Sequence, residues 1–359
     1  MSRGIRFGLV AAVAAVLACV PACGKKSGKI KIGVVTNCTA EFWSICEAGA
    51  KKAAAEHDVD LVFRQPTNMS VPDQMEIVDG FLQQGVKGLA VSVIDPKEQT
   101  KALKRIGEKT PLLAMDNDAP DSGRLCYIGI DNYEGGKAAG RLVKKALPNG
   151  GVVAVFIGST ASANGKARSQ GVLDELADQK DATGRTDKLA ERPNLDGKFF
   201  GKYFVVQGGP ITDDGKINIA TDKATDTLGK VKGLKDLCMV GLYAYNPPAI
   251  LEGIKTNSMT GQVKVIGFDE DWDTLKGIAA GTIEATVVQD PFGYGYKSVE
   301  VLAAVARGDK SKVMKDAIPY RVVTKDGGPE ETAGALKVQN LKVADFEAKL
   351  RADLASAKK

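Results

Sequence analysis

Two apolar runs in this chain end on an acid. PLLAMDND (111–118) delivers Asp116, and VKVIGFDED (263–271) delivers Asp269. A carboxylate at the end of a strand is costly to bury unless donors or a cation meet it, and what it does well is accept several hydrogen bonds at once. No catalytic constellation accompanies the two acids. His57, the only histidine, lies in AAAEHDVD at an expected helix end, without a motif partner for acid–base work. TASANGKA misses a phosphate loop, because Thr160 stands where the first glycine belongs and Ala167 where Ser or Thr belongs. GYGYKS misses a dinucleotide fingerprint, with Ser298 at the third glycine position. Asp116, Asp118, Asp269, Asp271 and Asp273 come from two distant strand ends and have no calcium-loop spacing. DEDWD reads instead as the acidic first turn of a helix. The sequence therefore calls for no metal, no cofactor and no catalytic residue.

The elements that must position these acids alternate in type. KIKIGVV (29–35), VDLVFR (59–64), GLAVSV (88–93) and PLLAM (111–115) read as strands. FWSICEAGAKKAAAEH, VPDQMEIVDGFLQQG and PKEQTKALKRIGEK, between them, carry apolar residues at helical spacing. That βαβ series predicts a parallel sheet covered on both faces. It then restarts with GVVAVFIGS (151–159), a helix near 164–179, YFVVQ (203–207), a helix near 216–231, LCMVGL (237–242), a helix from about 247 and VKVIGF (263–268). The expectation is an α/β protein of two Rossmann-like lobes. A polar insertion at 180–201 projects from the second, TKDGGPEET forms a loop and VADFEAKLRADLASA a terminal helix. Ligands of open parallel sheets sit beyond the carboxyl ends of the strands, so facing lobes would place Asp116 and Asp269 in one cleft.

The first 23 residues read as an export signal: Arg3 and Arg6, an apolar run from Phe7 to Val20, then small residues before Cys23. That run is too short for a spanning helix of about 20 apolar residues. Val20-Pro21-Ala22-Cys23 resembles a bacterial lipobox, with lipidation expected at Cys23 and residues 24–28 as the tether; ordinary cleavage and a second frame ending at Cys19 are the alternatives. The chain has 359 residues, so 359 − 23 leaves 336, enough for two domains. Of 49 basic residues, 47 remain without Arg3 and Arg6, against 44 acidic ones, a balance that does not suggest nucleic acid. Cys38, Cys46, Cys126 and Cys238 match no zinc spacing and read as buried thiols, or as one disulfide pair among the first three.

Six ordered stretches, VVTNCTAEFW, AMDNDAP, STASANGKARSQGV, LYAYNPPAILEGI, IGFDED and GTIEATVVQDPFGYG, resemble the ribose-binding-protein-like group of type 1 periplasmic solute-binding proteins, over about Lys29 to Lys325. The resemblance implies lobes of 29–131 plus 290–319 and 132–289 plus 320–359, joined by a three-strand hinge near Asp131, Gln289 to Pro291, and Pro319 to Arg321. It also implies the ligand site. Phe42 and Trp43 match the family's aromatic pair, Asp116 and Asp269 its acids, Arg168 its arginine, Asn246 its asparagine and Gln289 its crossover glutamine; Ser92 falls near a position that is often Asn. Ribose-specific members have Arg where this chain has Asn117, and Ala40 replaces another polar contact. The second lobe's aromatic is left open among the positions of Thr212, Asp214 and Gly215.

The implied function is capture of a monosaccharide, ribose-like or other, outside the cytoplasmic membrane and its delivery to an ABC-type importer, with no chemistry on the ligand. The implied partners are the sugar, the permease subunits and a membrane met through the lipid; a monomer is expected. Sensing of a sugar-like signal or nucleoside is the alternative. A transcription regulator of the lactose-repressor family shares the fold but begins with a basic helix-turn-helix, whereas this chain begins with an export signal. A hydrolase lacks a positioned acid–base pair.

Overall fold

A computed structural model describes residue 1 and residues 28–177, 195–333 and 336–356. Cys19, Cys23 and residues 180–194 of the insertion lie outside the described residues. The first five strands are β1 Ile30–Val35, β2 Val59–Arg64, β3 Gly88–Val91, β4 Leu112–Met115 and β5 Tyr127–Ile128. They form one parallel sheet in the order β2-β1-β3-β4-β5. Strands β3 and β4 are buried along their whole length, as helix cover on both faces requires. That cover comes from α1 Glu41–Glu56, α2 Val71–Gln83 and α3 Pro96–Gly107. Two helix starts are written locally: Ser70 accepts from the Asp73 N–H, and Asp95 accepts from the Lys97 N–H just before Pro96 begins α3.

The second sheet contains β6 Gly151–Ile157, β7 Gly197–Phe200, β8 Tyr203–Val206, β9 Ile211–Thr212, β10 Leu237–Gly241, β11 Val263–Phe268, β12 Ala285–Val288 and β13 Arg321–Thr324. After a small antiparallel ribbon of β14 Glu331–Ala333 with β15 Leu336–Val338, strand β16 Asn340–Lys342 closes its far edge. The order is β16-β13-β12-β11-β10-β6-β8-β7, with β9 also beside β6. Within it, β8-β6-β10-β11-β12 repeats the order of the first sheet position by position. Both sheets therefore reverse winding at equivalent places, between β1 and β3 and between β6 and β10, where a crevice opens for a ligand.

The helices that follow are α4 Asn132–Ala146, α5 Ala163–Ala177, α6 Ile217–Val231, α7 Asn246–Thr256, α8 Trp272–Ala280, α9 Pro291–Ala306 and α10 Val343–Ser356. Helix α4 packs on α5 beside the second sheet, whereas α9 returns to pack on α1 and β3 of the first. The chain therefore changes sheets between β5 and α4, between β12 and α9, and again before β13, where the Ile318 N–H donates to the Gly129 carbonyl at 2.7 Å. Asp131 and Asp290 cap the helices at the first two changes, fixing where each begins.

Three local features differ from the sequence reading. The sequence reading has no helix at α4, because its inward face is Gly135, Gly136, Ala138, Ala139 and Gly140, with Val143 as the one large apolar residue, and carries little apolar signal. The last residues of the insertion form β7, an antiparallel partner of β8, and the end of TKDGGPEET pairs as β14. The small residues of α4 have a packing reason. A Cβ on Gly136 would collide with the backbone carbonyl of Arg168, and one on Gly171 with that of Tyr133. Close approach of α4 and α5 thus sets the height of Arg168. Gly136→Ala is expected to destabilise the fold by about 1–3 kcal/mol, read by urea denaturation, and to weaken ligand binding measured on the folded fraction. Unchanged stability would show that the two helices can separate freely.

Candidate functional site

Asp116 and Asp269 each stand one residue past a strand, β4 and β11, and each still donates its N–H to the neighbouring strand, to Ile128 at 2.9 Å and Val287 at 2.8 Å. Both have left-handed backbones, with φ of 60° and 73°. Asp tolerates that region better than most residues, and both side chains turn toward the same guanidinium. This answers how an apolar strand can end on a buried acid: the acids meet a shared cation.

That cation is Arg168, on the second turn of α5 and 1% exposed. Its Nε donates to Asn132 Oδ1 at 2.8 Å and its Nη1 to the Leu242 carbonyl at 2.8 Å, and Phe268 lies flat beneath it with 4.1 Å from guanidinium carbon to ring centre. Nη1 is 3.5 Å from Asp269 and Nη2 is 3.8 Å from Asp116. Both gaps exceed the 2.7–2.9 Å typical of a charge-assisted hydrogen bond. Nη2 is buried and has no hydrogen-bond partner. An arginine held by these contacts thus has one buried donor left over for a further oxygen acceptor.

The other expected residues surround this centre. Ser92 donates to Asp116 at 3.3 Å. Gln289 donates to Asp269 at 2.6 Å and accepts from the Tyr294 hydroxyl at 2.9 Å, and Tyr294 meets the ring of Phe42 edge-on at 6.3 Å. Trp43 packs against Phe42 at 4.9 Å and donates to Asn37 at 3.0 Å. Asn117 donates to the Val93 carbonyl of its own lobe and accepts from the Asn164 N–H of the other at 3.0 Å, so its amide joins the two sides. Asn246 accepts from the Tyr243 N–H at 3.0 Å and donates to Asp213 at 2.9 Å, which leaves one N–H over.

Several residues were not legible in the sequence. Asn132 orients Arg168 from α4, Tyr243 bonds Ser162 and Asn164, and Asp213 accepts from Tyr245 at 2.6 Å as well as from Asn246. None of the three positions left open for the second lobe's aromatic carries a ring; the Tyr243 ring lies on that side, 5.8 Å from the Arg168 guanidinium carbon. The signal for it was the first tyrosine in LYAY. Asp271 caps α8 through the Asp273 and Thr274 N–H groups, both at 2.9 Å, so DEDWD is a helix start. The four described cysteines are free thiols.

Burial governs the charges. It pushes the Asp116 carboxyl from 3.8 to about 6; Arg168 opposes the shift and Asp269 adds to it. Asp269 moves upward for the same reason, against Arg168 and Gln289. Burial works against the Arg168 charge too, but Asp269 and Asp116 hold it above its ordinary value.

Two α/β lobes of like strand order, meeting over a buried acid–guanidinium centre with an unfilled donor, define a solute-binding protein of the type 1 architecture. The sequence profile described as Periplasmic binding protein domain matches residues 32–310, and the chain belongs to that family. Over 282 residues it is 25% identical to the ribose import binding protein of Salmonella typhimurium, covering 77% of this chain and 84% of that one. It is 23% identical over 295 residues to the D-allose-binding periplasmic protein of Escherichia coli, covering 79% and 86%. Among solved structures, an ABC transporter solute-binding protein from Burkholderia graminis in complex with D-arabinose superposes with a TM-score of 0.71 at 27% identity, covering 84% of this chain and 97% of that chain. A glucose-galactose binding protein from Geobacillus stearothermophilus gives 0.69 at 26%, covering 82% and 97%.

The Asp116 shift couples the lobes to pH. In an open, wet cleft the carboxyl would titrate near 3.8, and in the closed one near 6. Closure is therefore unpenalised below 3.8 and bears the full cost above about 6, a difference on the order of 3 kcal/mol. Small-angle scattering of ligand-free protein is expected to show a smaller radius at pH 5 than at pH 7.5. Asp116→Asn should lose most of that response, and an equal response in the variant would assign it to another group.

Proposed function

We propose that this chain is an exported solute-binding protein that captures a monosaccharide between its lobes and presents it, unaltered, to an ABC-type importer. The observation that carries this reading is the Arg168 Nη2 donor, buried without a partner between two acids that stand 3.5 and 3.8 Å from the guanidinium. A sugar hydroxyl suits that gap: its oxygen accepts from Arg168 while its hydrogen goes to a carboxylate. Phe42, with Trp43 behind it, supplies the apolar wall for ring C–H groups, and Ser92, Asn117, Asn246 and Gln289 complete or support the polar lining. The printed names of the relatives, ribose import and D-allose binding, support the same solute class.

The lobes comprise 29–131 with 290–319, and 132–289 with 320–359. Closure turns on the three sheet changes at 129–131, 289–291 and 318–321. A charged hydrogen bond contributes about 1.5–3 kcal/mol, so Asp269→Ala and Arg168→Ala should each weaken binding by on the order of a hundredfold without unfolding the protein. A thermal-shift screen of pentoses and hexoses identifies the ligand, since 100 times Kd adds about 2.7 kcal/mol of stability; calorimetry on the variants follows. Wild-type affinity in a folded Asp269→Ala variant would move the site elsewhere.

Cys23 anchors the protein to a membrane, and the 24–28 segment spaces it from the first lobe; the folded chain acts as a monomer. Support for the anchor is the lipobox-like VPAC and the Gly/Lys/Ser tether after it. Cys23→Ser is expected to release the protein from the membrane fraction of cells. Retention of that variant in the membrane after normal signal cleavage would overturn the lipid anchor.

A further inference from the structure

The charges buried in the cleft do not balance. Among the described residues Arg168 is the one buried cation, while Asp116, Glu175, Asp213, Asp269, Glu270 and Glu300 are buried acids. Glu175 is held by Lys144 at 2.6 Å, and Glu300 by Lys297 at 2.8 Å. Glu270 lies behind Asp269 at the second sheet change, 4.0 Å from Arg321. Asp116 and Asp269 have only Arg168 between them, which leaves one negative charge in excess (two carboxylates less one guanidinium). Asp213 adds a third carboxylate through a continuous chain: Arg168 donates to Leu242, the next residue Tyr243 donates to Asn246, and Asn246 donates to Asp213. All the donors to Asp213, from Tyr245, Asn246 and Gly215, are neutral.

Burying an unpaired carboxylate is several kcal/mol unfavourable, and the closed cleft offers little water to offset it. Hydrogen bonds from neutral donors offset part of that cost, but only a proton or a positive charge on the ligand removes the net charge. A proton on Asp116 serves only at acidic pH, since that carboxyl titrates at about 6; burial also pushes Asp269 upward and Glu270 well above its ordinary value. A second acid group lies where α1 and α8 begin: burial and then Asp271 and Asp273 push the Glu41 carboxyl upward, with Lys276, held to Asp273 at 2.8 Å, as the local cation. Negative potential there favours cations on approach.

We propose that the ligand is a polyhydroxylated ring bearing a primary ammonium group, an amino sugar or aminocyclitol, with its ammonium against the Asp116 and Asp269 carboxylates and a ring oxygen or hydroxyl on Arg168 Nη2. This rests on the monosaccharide reading above and names the substituent it leaves open. An ammonium has three donors for carboxylate oxygens and supplies the missing charge, whereas a hydroxyl supplies only donors.

The test is calorimetry on the folded protein at pH 7.5 and low salt with matched pairs: glucosamine and glucose, galactosamine and galactose, mannosamine and mannose, scyllo-inosamine and scyllo-inositol. D-Ribose, D-allose, D-arabinose and D-xylose complete the panel. The tightest binder should be an amine, at least about tenfold tighter than its neutral counterpart, and N-acetylation should remove that advantage. In Asp116→Asn the amine-to-neutral affinity ratio should fall toward one. A neutral sugar as the tightest binder overturns the ammonium and leaves the sugar reading intact. Absence of binding by every compound overturns both.

Discussion

One guanidinium, Arg168, sits within 4 Å of carboxylates from two different lobes. Removing a charge from water is unfavourable by several kcal/mol, and attraction to a partner compensates only when geometry is held closely. Much of the surrounding structure serves that requirement. Small residues let α4 approach α5, so that Asn132 reaches the guanidinium from one side. The Leu242 carbonyl, freed at the end of β10, takes a second donor, and Phe268, the last residue before Asp269, provides the flat face below. The arginine is fixed before any ligand enters, which reduces the ordering cost of binding.

The two acids show how a parallel sheet can present charge at its edge. Each extends its strand ladder by one N–H bond, then turns through a left-handed backbone, so that its side chain leaves the pleat just where strand order reverses nearby. Their surroundings differ: Asp116 has the Ser92 hydroxyl, and Asp269 has the Gln289 amide, itself held by Tyr294 from α9. Because Gln289 lies at a change between sheets, a short chain of hydrogen bonds, from Tyr294 to Gln289 to Asp269, ties that acid to the crossing segment.

Asn117 gives the closed arrangement a direct clasp. Its amide holds Val93 on one lobe and the Asn164 N–H at the start of α5 on the other. The first N–H groups of a helix have no partner within it, so closing satisfies a donor that an open cleft leaves to water. A long cationic side chain at 117 would add charge to the cleft; the short neutral amide leaves the acid pair to Arg168 alone. The clasp and the charge imbalance therefore have a common origin in one small residue next to Asp116.

Much of the fold was written along the chain. The repeated βαβ series, the helix starts at Ser70, Asp95 and Asp271, and the two strands ending on Asp116 and Asp269 follow from local periodicity and capping, because each depends on residues a few positions apart. The resemblance of six short stretches then placed Arg168, Gln289 and the aromatic pair near one edge. Other features depended on contacts far apart in sequence. Helix α4 has too few apolar residues to announce itself, and its glycines acquire meaning only against the backbone of α5. Asn132, Tyr243 and Asp213 look like ordinary loop and cap residues until folding brings them to the guanidinium and to one another. The sequence by itself determined which residues could accept or donate. Only the tertiary structure decided which of those donors and acceptors are already satisfied, because that depends on distances of a few ångströms between segments far apart in the chain, and so on which charge and which hydrogen are left over.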